Sequence, residues 1–206
     1  TNLDFRKGLS LAIDRNDFAS RATAGSEAFT SLLNRMYLSN VRKGEMYRDT
    51  DAGKGVYDAV YKELGGNPYA DGYTVSALSE ESCGYNINMA TWYVQKGLEA
   101  ELNSTKEGHL NNGDTIAIEF RVYDNTSENT KNAYERLVEY WWGTDNNPGV
   151  IKRAVEKIKQ ANSVPGFTGI EFELSMTKDE DYYTSASNGN YDMIFSIWGG
   201  AAIAPY

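Results

Sequence analysis

The sequence has very little of the two residues on which many metal and redox sites depend. Its 206 residues include one cysteine, Cys83, and one histidine, His109. A single cysteine excludes an intrachain disulfide, and a zinc site of the Cys/His type needs several such ligands. A Ser-His-Asp triad would have to use His109, which lies in the polar, loop-like run 106–110. We therefore predict no cofactor, no metal and no catalytic residue.

Basic residues are scarce relative to acidic ones, and long apolar runs are missing. The chain has 20 Lys and Arg against 29 Asp and Glu, a formal net charge of -9. A protein that binds duplex nucleic acid or an anionic membrane carries a basic stripe, which this sequence lacks. No segment approaches the roughly 20 apolar residues of a membrane-spanning helix. Nucleic acid is therefore not expected as a partner.

Aromatic residues, by contrast, are abundant. There are 15 Tyr, 7 Phe and 4 Trp, and 13% of all residues are aromatic. Such side chains combine a large contact area with a polar group, and binding surfaces favour them. The remaining composition is that of a globular protein, with 41% hydrophobic and 24% charged residues. We expect most tyrosines to belong to the core and its solvated shell.

The first part of the chain, residues 1–113, is predicted to be helical and irregular. Apolar residues near helical spacing predict helices over 3–23 and 90–102. The first of these is interrupted at Asp14-Arg15-Asn16-Asp17, where Asp14 or Asn16 is suited to cap a second, short helix. Further apolar stripes at 29–36 and 56–64 favour short helices in the irregular part.

From residue 114 onward the pattern changes to strands separated by helices. Alternation over 116–122 and again over 170–176 predicts two half-buried strands. The apolar run 193–198 predicts a third strand, buried on both faces. Helices are predicted over 127–142, 150–161 and 177–187. The last follows from a capping-box pattern at Thr177-Lys178-Asp179-Glu180 and is ended by Asn188-Gly189. Connections of this length favour parallel strands with right-handed crossovers, and hence an α/β fold with a mostly parallel sheet.

We assign structural roles to several residues whose side chains could otherwise take part in binding or catalysis. Trp141 and Trp142 end a predicted helix about 100° apart, so we expect one ring in the core and one partly exposed. Asp179 and Asp181 lie where a helix N-terminus favours negative charge. Cys83 has no basic neighbour in the sequence that would activate it as a nucleophile.

The end of the last predicted strand is the expected binding site. Ligands of parallel α/β sheets bind outside the carboxyl ends of the strands. Here the strand ends at Ile197-Trp198, and Gly199 and Gly200 follow. Glycine has no side chain, so a ligand can approach its backbone closely beside the Trp198 ring. We predict that Trp198, Gly199, Gly200 and the following Ala201 contact a ligand.

Two segments near the ends of the chain carry a family resemblance. The first is Asp4-Phe5-Arg6-Lys7-Gly8-Leu9-Ser10-Leu11-Ala12-Ile13-Asp14-Arg15. The second runs from Gly189-Asn190-Tyr191-Asp192-Met193 through Ile197-Trp198-Gly199-Gly200. Both resemble signature stretches of the family 5 extracellular solute-binding proteins, the oligopeptide- and dipeptide-binding receptors of bacterial ABC importers. In that family the second stretch leads to a tryptophan that contacts the ligand.

The resemblance implies a fold, a partner and a location. It implies that residues 1–206 form one domain of the type II periplasmic-binding-protein kind, most of the second of two lobes in a longer receptor. Such receptors are monomers that close two lobes on an oligopeptide by hinge motion. They then deliver it to an ABC permease in the membrane, without catalysis. The receptor would lie at the extracellular face, lipid-anchored, or in the periplasm.

The chain departs from the peptide-binding pattern at Ala201. Many peptide-binding members carry an Asp at this position, three residues after the tryptophan, and it pairs with the α-amino group of the ligand. An unpaired buried ammonium group is costly. An oligosaccharide receptor of the same fold, which the aromatic content favours, is therefore an alternative. An alternative from another class is a hydrolase, which would need two carboxyl groups about 5–10 Å apart in a cleft.

Overall fold

The chain folds into a mixed α/β structure. The computed structural model describes residues 2–23, 25–28, 37–56, 59 and 83–195. The helices within these ranges are α1 (Leu3–Leu11), α2 (Arg15–Ala22), α3 (Ile87–Leu102), α4 (Glu128–Trp141), α5 (Val150–Ala161) and α6 (Tyr182–Asn188). The strands are β1 (Leu38–Asn40), β2 (Glu45–Met46), β3 (Thr115–Val122), β4 (Glu171–Lys178) and β5 (Met193–Ile194). A short 3-10 helix, Tyr47–Asp49, follows β2, and 51–56 is helical.

Side-chain caps determine where the first helices begin. The Asn2 side chain accepts a hydrogen bond from the Phe5 amide at 3.1 Å, at the start of α1. Asp14 accepts the amides of Asn16 and Asp17, so it is the cap of α2, and the predicted interruption of the first helix is confirmed. These bonds satisfy amide groups that lack a partner within the helix. The Asn86 side chain caps α3 in the same way.

The central sheet is parallel, as the sequence predicts. Its strand order is β4-β3-β5. β3 pairs with β4 along its whole length, from Thr115 beside Glu171 to Val122 beside Lys178. β5 pairs with β3 only at Met193 beside Phe120 and Ile194 beside Arg121. A separate antiparallel hairpin of β1 and β2, which the sequence analysis did not predict, lies in the amino-terminal part.

The predicted capping box at 177–180 is wrong. Thr177 belongs to β4 and lies beside Arg121 of β3, so pairing in the sheet occupies the residue that would have been the cap. α6 begins at Tyr182, and the Asp179 carboxylate accepts the Asp181 amide at 2.9 Å. The helix ends as predicted, at Gly189 in the left-handed conformation.

The core lies between one face of the sheet and the helices. Phe120 and Val122 are buried, as are Leu137 of α4 and Ile158 of α5. Trp141 is 3% exposed, while Trp142 is half-buried and stacks on Phe172 with ring centroids 5.9 Å apart. The expected division between the two tryptophans is therefore confirmed. The buried Trp141 indole donates to the Leu9 carbonyl at 3.1 Å and so joins α4 to α1.

Two glycines allow α1 and α3 to pack closely. A Cβ atom at Gly97 of α3 would lie 2.6 Å from the Phe5 backbone nitrogen. A Cβ atom at Gly8 of α1 would lie 2.8 Å from the Ala90 carbonyl oxygen. Both distances are shorter than atoms can approach without displacement. The two helices therefore contact each other through backbone atoms at both positions.

The remaining sequence predictions fall partly outside the described residues. α3 begins at Ile87, three residues before its predicted start. The stripe at 29–36 lies outside the described ranges, and so does nearly all of the stripe at 56–64. The described part of the third predicted strand, Met193 and Ile194, is half-buried rather than buried. Its continuation over 196–198 lies outside the described residues.

Candidate functional site at the carboxyl edge of the sheet

The connections from β3 and β4 leave the sheet on opposite faces. The chain passes from β3 through α4 and α5 to β4. Trp142, the residue after α4, packs against Phe172 on the apolar face of the sheet. The chain then passes from β4 through α6 to β5, on the other side of β3. α6 contacts the polar face, where Arg121 donates to the Ser185 hydroxyl at 3.3 Å. The two crossover connections run in opposite directions along the sheet and lie on opposite faces, so they have the same handedness. This agrees with the rule that such crossovers share one hand.

This arrangement places a topological switch point between the carboxyl ends of β3 and β4. Where adjacent parallel strands send their connections to opposite faces, the two loops diverge and leave space for a ligand. The residues at this point are Tyr123 and Asp124 after β3, and Asp179 to Tyr183 after β4. We refer to these residues, together with Arg121, as the carboxyl-edge site.

Three tyrosines form a ring cluster in the carboxyl-edge site. The Tyr182 ring packs edge-on against the Tyr123 and Tyr183 rings, with centroids 6.1 and 5.4 Å away. Tyr182 is 4% exposed, whereas Tyr123 and Tyr183 are 62% and 75% exposed. The Tyr182 hydroxyl donates to the Phe195 carbonyl at 2.5 Å, which fixes the central ring. The other two rings therefore face solvent on a fixed support.

An ion-paired arginine joins the strands to α6 below this cluster. The Arg121 guanidinium donates to Glu119 at 2.8 Å and to Asp179 at 3.1 Å. The hydrogen bond with Glu119 raises the pKa of Arg121. A hydrogen bond from Ser185, followed by the Asp181 amide and Arg121, lowers the pKa of Asp179 against the opposing effect of burial. Both groups are therefore charged, and their pairing holds the start of α6 at the end of β3.

Backbone and side-chain hydrogen bonds position β5 up to the last described residue. The Phe195 amide donates to the Arg121 carbonyl at 3.1 Å. The Glu119 amide donates to the Asp192 carboxylate at 3.0 Å, where regular pairing with β5 has not yet begun. The predicted ligand-binding residues follow directly in the sequence. Trp198, Gly199, Gly200 and Ala201 all lie outside the described residues, so their contact with a ligand stays a prediction.

The single histidine and the single cysteine lie away from the carboxyl-edge site. His109 lies in the loop before β3, as predicted, with its Nδ1 3.1 Å from the Leu110 carbonyl oxygen. Cys83 is buried and has a positive φ of 48°. Its carbonyl accepts a hydrogen bond from Arg15 at 3.3 Å, and its thiol lies 3.8 Å from the Asn16 side-chain oxygen. Within the described ranges, no three His, Cys, Asp or Glu side chains converge to hold a metal.

The sequence analysis missed the tyrosines of the carboxyl-edge site. It placed the site only at the end of the third strand, although the ends of the other parallel strands meet at the same edge. Tyr123 is the first residue after β3, and Tyr182 and Tyr183 begin the helix after β4. Their positions directly after predicted strands were the available signal. Strand order, which the sequence does not give, was needed to bring them together.

Comparisons with known proteins leave the geometry as the main evidence. Searches against protein-family models, curated proteins and solved structures find no match for this chain. None of the helices in the described part of the chain has the length and apolar character needed to cross a membrane. The structure itself establishes a mixed α/β fold with a three-stranded parallel sheet.

Proposed function

We propose that this chain is a ligand-binding lobe of the substrate-binding component of an ABC importer, which binds oligopeptides and delivers them to a membrane permease. The observation that carries the proposal is the switch point where the connections of β3 and β4 diverge to opposite faces of the sheet. Ligands of parallel α/β sheets bind at such switch points. The resemblance of residues 4–15 and 189–200 to family 5 solute-binding proteins supports the same function.

The proposal includes the finer fold and the setting. The lobe would have the type II periplasmic-binding-protein architecture, and a second lobe would close over the carboxyl-edge site by hinge motion. The receptor would act as a monomer, without cofactor or catalysis, at the extracellular face of the membrane or in the periplasm. β5 supports this arrangement because its hydrogen bonds hold the chain at the carboxyl edge up to Phe195, three residues before Trp198.

A change at Trp198 tests the predicted ligand contact. In the receptor that contains this lobe, Trp198→Ala is expected to weaken peptide binding by about 1–3 kcal/mol, the usual effect of removing an aromatic anchor. Titration calorimetry measures the effect. Trp92→Ala is the matched control, because Trp92 is half-buried on α3 and lines a groove between α3 and α5. Unchanged affinity of the Trp198 variant would remove this residue from the site.

Mass spectrometry of small molecules released from the purified receptor tests the ligand class. A ladder of peptides would support an oligopeptide receptor in which the other lobe compensates for Ala201. A single compound without a free amine would contradict the peptide assignment. The 206-residue chain alone supplies only one side of the cleft and is expected to bind peptides weakly. A low-micromolar Kd for this chain would contradict the lobe proposal.

An oligosaccharide receptor is a second candidate, and one observation favours it. The Tyr123 and Tyr183 rings are exposed at the carboxyl edge of the sheet, and aromatic side chains of this kind offer large contact faces with a polar group. Release of a sugar from the purified receptor would select this candidate over the first.

A further inference from the structure

The most exposed aromatic surface in the carboxyl-edge site is the pair formed by Tyr123 and Tyr183. The two ring centroids lie 6.2 Å apart, and the ring planes are inclined at 47°. Tyr182 supports both rings from the side and is itself held by the Phe195 carbonyl. Exposed aromatic rings on a rigid support are suited to contact a ligand, because little side-chain entropy remains to be lost on binding.

The charges around this pair are predominantly negative. Five carboxylates lie in the adjoining segments 119–124 and 178–181, namely those of Glu119, Asp124, Asp179, Glu180 and Asp181. The same segments contain two cationic side chains, Arg121 and Lys178, and Lys131 of α4 also acts electrostatically on Asp124. Arg121 is already paired with Glu119 and Asp179. A ligand that approaches the rings therefore meets a net negative potential, which attracts a cation and repels an anion.

Two of these carboxylates are kept ionised by their own hydrogen bonds. Asp124 accepts the Thr126 hydroxyl at 2.7 Å and the Thr126 amide at 2.9 Å. These bonds, the hydroxyl first, lower the pKa of Asp124. Asp179 is bound by Ser185, the Asp181 amide and Arg121. The negative charge beside the rings therefore persists well below neutral pH.

We propose that the Tyr123–Tyr183 pair binds a substituted ammonium group of a small solute through cation–π contact. The face of an aromatic ring carries negative electrostatic potential, and a cation within about 6 Å of the ring centre is attracted to it. The faces of the rings do not replace the hydrogen bonds that an ammonium group loses when it leaves water. An alkylated ammonium suits such a site because it has fewer N–H groups that need those bonds. The inference rests on the proposed function only in placing the solute at the same carboxyl edge of the sheet.

The surface favours a cation over the other ligands that aromatic rings accept. A neutral sugar would gain stacking and could donate hydrogen bonds to the carboxylates, but it would gain no Coulombic attraction from their net charge. An anion would be repelled by them. A positively charged solute gains from both the rings and the charge, so the two observations point to one chemical class.

Choline and its uncharged isostere 3,3-dimethylbutan-1-ol test the proposal on the 206-residue chain. The two molecules have nearly the same shape and differ in the charge of one atom. Saturation-transfer NMR is expected to give a saturable signal for choline and a Kd roughly three- to tenfold weaker for the isostere. Equal binding of the two, no saturable choline signal into the tens of millimolar, or binding of a neutral disaccharide in place of choline would each overturn the proposal.

Variants locate the site and separate the ring from the hydroxyl group. Tyr123→Leu and Tyr183→Leu are each expected to weaken choline binding roughly three- to tenfold, since the aromatic face is lost. Tyr183→Phe keeps the face and is expected to retain the wild-type Kd. Tyr191→Leu is the matched control, because Tyr191 is exposed but lines a groove with His109, away from the ring cluster. Thermal unfolding followed by circular dichroism checks that each variant folds.

The same data distinguish this inference from the proposed function. Peptides could bind irrespective of their charge, and the Tyr→Leu changes could leave that binding unaffected. This result would overturn the cation site but leave the receptor proposal standing. Choline binding that depends on both tyrosines would support the cation site even if the purified receptor released no peptide and Trp198→Ala had no effect.

Discussion

The two faces of the parallel sheet are built from the same two strands and differ in what covers them. One face is packed into the core under α4 and α5, and its residues are Ile116, Ile118, Phe120, Val122, Phe172, Leu174 and Met176. The other face carries polar or small residues that are exposed, namely Thr115, Ala117, Glu171, Glu173, Ser175 and Thr177. α6 reaches this second face through the ion pair and hydrogen bonds of Arg121.

Under the proposed function, this difference separates residues that stabilise the fold from residues that bind the ligand within one sheet. Successive side chains of a strand point to opposite faces, so neighbouring residues of β3 serve different purposes. Phe120 lies in the core, whereas Arg121 orients the start of α6 and the tyrosines beside it. Substitutions on the apolar face should therefore change the free energy of unfolding. Those on the polar face and at the carboxyl edge should act mainly on local structure and ligand contact.

Truncation of the core phenylalanine is expected to have the largest effect. Phe120 is 0% exposed, and Phe120→Ala leaves a cavity and removes buried apolar surface. The expected loss in the free energy of unfolding is about 3–5 kcal/mol. Thr115→Ala, on the exposed face of the same strand, is the control and should change it by less than about 0.5 kcal/mol. Urea unfolding measures both, and similar losses for the two variants would contradict the assignment of the faces.

A smaller loss is expected where α1 and α3 approach through Gly97. An alanine Cβ there would lie 2.6 Å from the Phe5 nitrogen, so one helix must shift. Gly97→Ala should lower the free energy of unfolding by about 1–3 kcal/mol, the range for an overpacked core. Gly55→Ala is the control, since a Cβ atom at Gly55 meets nothing within 4 Å. Thermal unfolding compares them, and a stabilised Gly97 variant would show that the helices are not in close contact.

Elements determined by local sequence were predicted well. The period of two over β3 and the helical stripe of α5 each depend on residues that are neighbours in the chain, and both predictions are confirmed. The α2 cap at Asp14 is equally local. The end of the last helix at Asn188-Gly189 was also predicted, and Gly189 follows the helix with a positive φ.

Features that depend on pairing between distant segments were not predicted. Thr177 has the sequence of a cap, but its partner across the sheet is Arg121, and a distant strand overrides the local pattern. The ring cluster joins Tyr123 to Tyr182 and Tyr183, about 60 residues later in the chain. The sequence analysis predicted a site at the carboxyl edge of the sheet, and that stays a prediction. It could not state which strand ends meet there.

The smallest predicted effect lies on the polar face, at the ion pair of Asp179 and Arg121. The folded-state pKa of Asp179 is lowered, so this carboxylate stabilises the fold above its unfolded pKa of about 3.9, and the stabilisation is lost as the pH falls toward the folded value. Asp179→Asn should therefore lower the free energy of unfolding at pH 7 but much less near pH 3. Glu173→Gln, exposed on the same face, is the control. Urea unfolding at both pH values measures the difference from the wild-type chain. A deficit for Asp179→Asn that is equal at both pH values would mean that Asp179 acts through the shape of the turn and not through its charge. In that case charge would not stabilise the polar face, and the contrast with the packed apolar face would not hold.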